Sequence, residues 1–226
     1  SNVVEVATNE ELHDVLDAAA AAGVEVMLQE KVNIATGKDR SLASYVPAEG
    51  EPLAVVGNAA VRFPLEFGTS CLVETVDAPE IEARALSVIE DAGYHGISES
   101  EFVYDADREE YVLLDINTRP WKWISLPVSV GANLPYAAYA DVVGEEFDPG
   151  EVGEGRWVYL RDYLTLLGTE DAFWDVLDTA DWASLVSGAF EDGGDLTTGV
   201  YRPSDPLPTA QLLDTEFTDR EYYCSC

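Results

Sequence analysis

Two alternating runs, Ile97-Ser-Glu-Ser-Glu101-Phe-Val-Tyr and Tyr111-Val-Leu-Leu-Asp115-Ile-Asn117, flank the polar stretch 105–110. Alternation of this period belongs to strands, and two such runs joined by a short polar segment predict a β-hairpin. If partners across the hairpin sum to residue number 216, Glu101 stands opposite Asp115. Facing carboxylates repel, so the arrangement survives only if it is solvated, partly protonated or bridged by a cation. Two acids and an amide, Glu101, Asp115 and Asn117, form an all-oxygen set of the kind Mg²⁺ prefers, or Mn²⁺ in its place, with phosphate oxygens and waters completing the shell. Arg119, two residues further on, lies where a transferring phosphoryl group needs a fixed positive charge.

The same hairpin has a second reading, a solvated acidic face, because the chain carries 44 Asp and Glu against 12 Lys and Arg, a formal charge of −32. Disorder is the usual expectation at such a charge, but five Trp, eleven Tyr and regular apolar periodicity predict a packed fold. The acid excess reads as the surface of a protein from a halophilic source. Its self-repulsion needs screening, and at molar salt the Debye length is about 3 Å. Nucleic acid and anionic membranes are poor partners for this charge. No apolar run approaches the roughly 20 residues of a membrane span, and a cytoplasmic location is expected. Cys71, Cys224 and Cys226 lack CxxC spacing, so no disulfide or zinc framework is suggested.

Along the chain, residues 3–6 read as a strand. Thr8-Asn-Glu-Glu11 is a capping box opening a helix that faces inward with Leu12, Val15, Leu16 and Ala19 and ends at Gly23. Residues 24–32 read as a mostly apolar strand with a polar exit, and alternating strands follow near 41–46 and 53–62. Asp77-Ala-Pro-Glu80 starts a second helix, with Ile81, Ala85, Val88 and Ile89 inward. After the hairpin, residues 125–143 read as two short helices separated near Gly131 and Pro135. The order predicts an α+β fold, an antiparallel sheet backed by helices, over residues 1–147. A Gly- and acid-rich connector then leads to residues 148–226, a partly helical C-terminal extension packed on the first part.

Arg62 is the one basic group of the region 57–68 and suits a phosphate or a carboxylate, or else a surface ion pair. Lys122 is a second candidate for a substrate carboxylate. No Walker, GxSxG or HExxH signature is present.

The Glu101-Phe102 step, the hairpin and the strand end Asp115-Ile-Asn117-Thr-Arg119 resemble the nucleotide site of the ATP-grasp superfamily. The likeness continues through Arg119-Pro-Trp-Lys-Trp-Ile-Ser-Leu126 and Gly131-Ala-Asn-Leu-Pro-Tyr136, in the manner of the carboxylate–amine (or thiol) ligase branch. Asp115 departs from the usual Glu. The resemblance implies ATP and Mg²⁺ as cofactors, and small-molecule carboxylate and amine substrates joined through an acylphosphate. It further implies adenine contacts from the backbone of Glu30, Lys31 and Val32, and Asp39 near the ribose hydroxyls. It covers residues 3 to about 147 and matches the C-terminal portion of the grasp, so the upstream half of the same polypeptide, with its phosphate-binding lysine and glycine loop, is the expected partner. The oligomeric state stays open. A module of the same descent that binds nucleotide or acts as a scaffold without turnover is the alternative.

Overall fold

The computed structural model describes residues 4–65 and 68–217; Cys224 and Cys226 lie outside the described residues. The chain forms two compact units, Ser1–Asn33 and Ile34–Cys226.

In the first unit, helix α1 (Asn9–Ala22) begins as its capping box dictates. The Thr8 hydroxyl accepts the Glu11 N–H at 3.2 Å, and the Glu11 carboxylate accepts the Thr8 N–H at 3.2 Å. Gly23 closes it in the left-handed conformation, φ 68°. The expected strands do not form: residues 4–7 and 24–33 pair with no ladder, and Met27 and Leu28 are 83% and 60% exposed. Apolar alternation makes a strand only where a neighbouring strand can pair with it in a ladder.

The second unit is built on one seven-stranded sheet. Its strands are β1 (Arg40–Val46), β2 (Leu53–Phe63), β3 (Thr69–Thr75), β4 (Gly96–Asp105), β5 (Glu110–Asn117), β6 (Arg156–Val158) and β7 (Leu196–Thr198). They lie in the order β5-β4-β1-β2-β3-β6-β7, antiparallel except for the parallel pair β6–β7. Strand β3 was not foreseen, although Ser-Cys-Leu-Val-Glu is an apolar core with strand-forming residues. The last two strands come from beyond the expected boundary at 147/148 and extend the same sheet.

Helix α2 (Pro79–Asp91) packs Ile81 and Ala85 against Leu42, Val56 and Phe102 on one face and also buries Ile89; Val88, expected inward, is 38% exposed. Helices α5 (Leu160–Leu167) and α6 (Thr179–Ser187) close the same face further along, over Val61, Leu72 and Val158. The other face carries α3 (Ser125–Ser129) and α4 (Leu134–Val143), with Trp121, Trp123, Leu126 and Leu134 over Ala43, Tyr45, Val55, Val73 and Trp157. Gly131, with φ 100°, makes the turn between those two helices, and a side chain there would also meet Glu151 O at 3.1 Å. Helix α7 is Leu207–Phe217. No helix among the described residues is long and apolar enough to cross a membrane.

Candidate active site

The register of the hairpin decides what the face under α3 and α4 presents. Asn117 pairs with Glu99 and Asp115 with Glu101; a one-residue irregularity then shifts the ladder, so that Phe102 faces Leu113. On the other side of β4, Ser41 pairs with Glu101 and Ala43 with Glu99. Directly paired residues share a face, so two rows run across the sheet, Ser41-Glu101-Asp115 and Ala43-Glu99-Asn117. An irregularity between Ala59 and Val61 brings in a further residue. Regular alternation from Val55, Gly57 and Ala59 would aim Val61 at these rows and Arg62 away, and the bulge exchanges them.

Arg62 therefore sits over the acids. Its Nε donates to Asp39 Oδ2 at 2.8 Å, its Nη1 to the Gly68 carbonyl at 3.1 Å, and its Nη2 lies 3.6 Å from Glu101 Oε2. Burial works against its charge, but Asp39 and Glu101 outweigh that and hold the guanidinium more firmly protonated. Asp39 is buried in return, with its second oxygen unpartnered. The Asn117 amide donates to Glu99 Oε2 at 3.4 Å and to Glu101 Oε1 at 3.3 Å.

Glu99 is the residue that the sequence reading missed. It is only 4% exposed. Burial and then the charge of Glu101 push its carboxyl up to about 8, against the opposing pull of the Trp123 hydrogen bond, Arg62 and Arg119. The signal was available, since Glu99 and Glu101 are two apart in a strand and must share a face. Trp123 lies over this row because Gly57 leaves room: a Cβ at Gly57 would come within 2.9 Å of Val73 and 3.1 Å of the indole.

The remaining expected residues divide. Arg119, just past the end of β5, keeps its guanidinium exposed, with one N–H on the Pro120 carbonyl at 3.2 Å. Asp115 is exposed and accepts from its own neighbour, Ile116 N–H, at 2.8 Å. Lys122 is committed to the C-terminal segment: its ammonium is 2.5 Å from buried Asp162, 3.1 Å from the Thr69 hydroxyl and 4.3 Å above the Tyr159 ring. Glu30, Lys31 and Val32 belong to the first unit, where Lys31 pairs with Glu5 at 2.6 Å. Among the described residues, no three acid, His or Cys side chains stand close enough as oriented to hold a metal ion. The donor set nonetheless has the chemistry of a hard-cation site: it is all oxygen, and the paired register puts it on one face.

No protein-family model matches the sequence, and no curated protein matches it. Solved structures do share its fold. Biotin carboxylase from Campylobacter jejuni, in complex with β-γ-ATP, aligns with TM-score 0.52 and 15% identity over 69% of this chain. N5-carboxyaminoimidazole synthetase from Staphylococcus aureus, complexed with ADP, aligns with TM-score 0.54 and 14% identity over 75%. The biotin carboxylase domain of 2-oxoglutarate carboxylase from Hydrogenobacter thermophilus, with MgADP and bicarbonate, gives 0.50 and 12% over 65%. At these identities the likeness establishes the fold alone, an α+β architecture shared with these proteins. The chain spans 37%, 47% and 34% of those three proteins.

Proposed function

We propose that this chain is the C-terminal part of an ATP-dependent ligase, in which a carboxylate is activated as an acylphosphate and joined to an amine or thiol, with release of ADP and phosphate. The observation that carries the reading is the pair of rows on one sheet face, where Glu99, Glu101, Asp115 and Asn117 converge beside Arg62 and Arg119. Catalysis of phosphoryl transfer is mostly positioning and charge neutralisation, and the rows supply both kinds of group. Glu101, Asp115 and Asn117 would hold Mg²⁺. When bound, the ion neutralises phosphate charge and orients the terminal phosphoryl group.

Arg119 stabilises the charge that develops on the phosphoryl oxygens as the carboxylate attacks. Arg62, fixed from behind by buried Asp39, holds Glu101 in place. Asp39 thereby serves as an anchor for Arg62 rather than as a ribose contact, and neither Arg62 nor Lys122 is left over for a substrate carboxylate. Glu30, Lys31 and Val32 remain the proposed adenine contacts, through their backbone. The boundary between residues 1–147 and 148–226, the salt-adapted source and the cytoplasmic location belong to the same reading, supported by the composition. Activity further requires the upstream half of the ligase, with its lysine and glycine loop.

A second reading, nucleotide binding or scaffolding without turnover, is favoured by one feature: Arg62 and the Ile116 N–H engage Glu101 and Asp115. The test is calorimetry of Mg-ATP in molar KCl, on this chain and on a version extended upstream, with an assay for released phosphate. The ligase reading expects weak binding here, and tight binding with phosphate release on adding substrates in the longer protein. Tight binding without phosphate release, across a panel of carboxylates and amines, selects the second reading.

A further inference from the structure

Beside the acid rows, the sheet face and α4 border an open cleft of about 380 Å³, lined among others by Tyr45, His95, Ile97, Arg119, Ala138 and Asp141. Its size is that of a small-metabolite pocket. Its charge is unlike that of the chain. Acids outnumber Lys and Arg by 44 to 12 overall, yet the charged lining here is one acid, one arginine and one of the two histidines. Asp141 is held by design of the fold: the buried Tyr45 on β1 donates its hydroxyl to Asp141 Oδ2 on α4. Burial and then the Asp141 bond push the Tyr45 hydroxyl up to about 12, so it remains a donor throughout the neutral range. One carboxylate oxygen is thus occupied and the other is left for a ligand. His95 Nδ1 lies 3.2 Å from the Pro47 carbonyl, which assigns the proton to that nitrogen and leaves Nε2 for a ligand. Ile97 and Ala138 add apolar lining.

We propose that this cavity binds a small α-amino acid, its ammonium on Asp141 and its carboxylate on Arg119, with His95 beside them. A fixed carboxylate and a planar guanidinium lining one cavity supply a partner for each charge of an amino-acid zwitterion. Ile97 stands two residues before Glu99 on β4 and Arg119 two residues after Asn117, so the cavity opens next to the acid rows. The proposal rests on the ligase reading in one respect only: it makes the bound amino acid the amine substrate, with some of the five Arg119 N–H groups on its carboxylate and others left for the phosphoryl oxygens.

The experiment is calorimetry on the 226-residue chain in molar KCl with glycine, L-alanine, L-leucine, L-glutamate and L-lysine. The best of these is then compared with its N-acetyl and amide derivatives, and Mg-ADP is titrated separately. At least one amino acid is expected to bind, with each derivative about tenfold or more weaker, because each loses one charge-assisted contact. Asp141→Asn, which keeps an acceptor for Tyr45 and the fold, should weaken the amino acid about tenfold and leave the N-acetyl derivative unchanged. A melting curve and far-ultraviolet spectrum equal to those of the wild type confirm that the variant is folded. The proposal is overturned if no amino acid binds, if the N-acetyl derivative binds as well as its parent, or if Asp141→Asn binds undiminished. Amino-acid binding, with no tight Mg-ADP binding even by the version extended upstream, would sustain the cavity and sink the ligase reading; tight Mg-ADP binding by that longer version without amino-acid binding would do the reverse.

Discussion

At one end of the sheet, Arg156 on β6 closes a two-pronged pair on Asp181, at 2.8 and 2.6 Å, and reaches Asp195 at 2.9 Å. At the other end, Glu99 and Glu101 point into the same space from β4, with one amide and the outer reach of Arg62 between them. The consequences have opposite signs. The Arg156 hydrogen bonds hold the Asp181 carboxyl below the usual range, whereas burial and then Glu101 push Glu99 up to about 8. Matched charge at the β6 end ties the C-terminal segment to the sheet. Unmatched charge at the β4–β5 end lowers stability, and a fold carries such an arrangement where it serves a site. The same pair of residue types, read by environment, separates a clamp from a workplace.

Salt should expose the difference most strongly. With a formal charge of −32, the chain is expected to fold cooperatively in molar KCl and to lose much of its stability below a few tenths molar, where the Debye length exceeds roughly 5 Å. Hydrogen exchange resolves the two ends: amides of β4 and β5 should lose protection at higher salt than those of β6 and β7. A melting temperature and exchange pattern unchanged between 0.1 and 2 M KCl would remove both the screening argument and the contrast.

Arg156→Ala comes next. It strands the buried Asp181 without its guanidinium, a loss of about 3 kcal/mol at pH 7. The sign follows from the lowered carboxyl: stability that depends on ionised Asp181 is present above its unfolded value and disappears as pH falls through the folded one. Urea unfolding should therefore show the variant's deficit shrinking on acidification. A deficit that persists undiminished well below pH 3 would mean that packing, not charge, is what Arg156 contributes.

Glu99→Gln should act the other way, by about 2 kcal/mol. The folded carboxyl titrates near 8 and the unfolded one near 4.5, so between those values the folded chain holds the extra proton and wild-type stability falls as pH rises. The variant, which can still accept from Trp123, is expected to equal the wild type near pH 4 and to exceed it at pH 9. Equal stability at both would show that Glu99 is better solvated than its burial implies.

These contrasts show why some of the molecule was legible in the sequence and some was not. The outer half of the hairpin register was readable because alternation has period two: once Glu101 faces Asp115, Asn117 must face Glu99; the turn-side half slips by one residue at the irregularity beyond Glu101. The α1 capping box was readable because its hydrogen bonds lie within four residues. The aim of Arg62 was not, since it depends on a bulge between Ala59 and Val61 that no local pattern announces. Nor was the commitment of Lys122 to Asp162, which lies 40 residues away. The apolar run 24–32 misled because strand propensity describes willingness to pair, not the presence of a partner.

The smallest expected effect bears most directly on function. If Glu101, Asp115 and Asn117 hold Mg²⁺ with a dissociation constant of ~1 mM, then 10 mM MgCl₂ at constant ionic strength adds about 1.4 kcal/mol to stability. For a chain of this length that is a rise of roughly 3–5 °C in melting temperature. Asp115→Asn and Glu101→Gln should each abolish the rise, because each removes one charge from a set that repels itself without the ion. Neither is expected to lower the melting temperature without Mg²⁺. Asp115 is exposed, and its nearest partner is the neighbouring backbone N–H, which an amide oxygen satisfies equally. Arg156→Ala serves as the internal control: its melting temperature starts lower but should climb by the same amount with Mg²⁺, since the clamp and the acid rows lie at opposite ends of the sheet. If the rise survives in Asp115→Asn but not in Glu101→Gln, the ion sits between Glu99 and Glu101, and Asp115 lies outside its shell. If Mg²⁺ changes nothing in the wild type, the buried proton on Glu99 is all that the rows need, and the metal role assigned to this face falls.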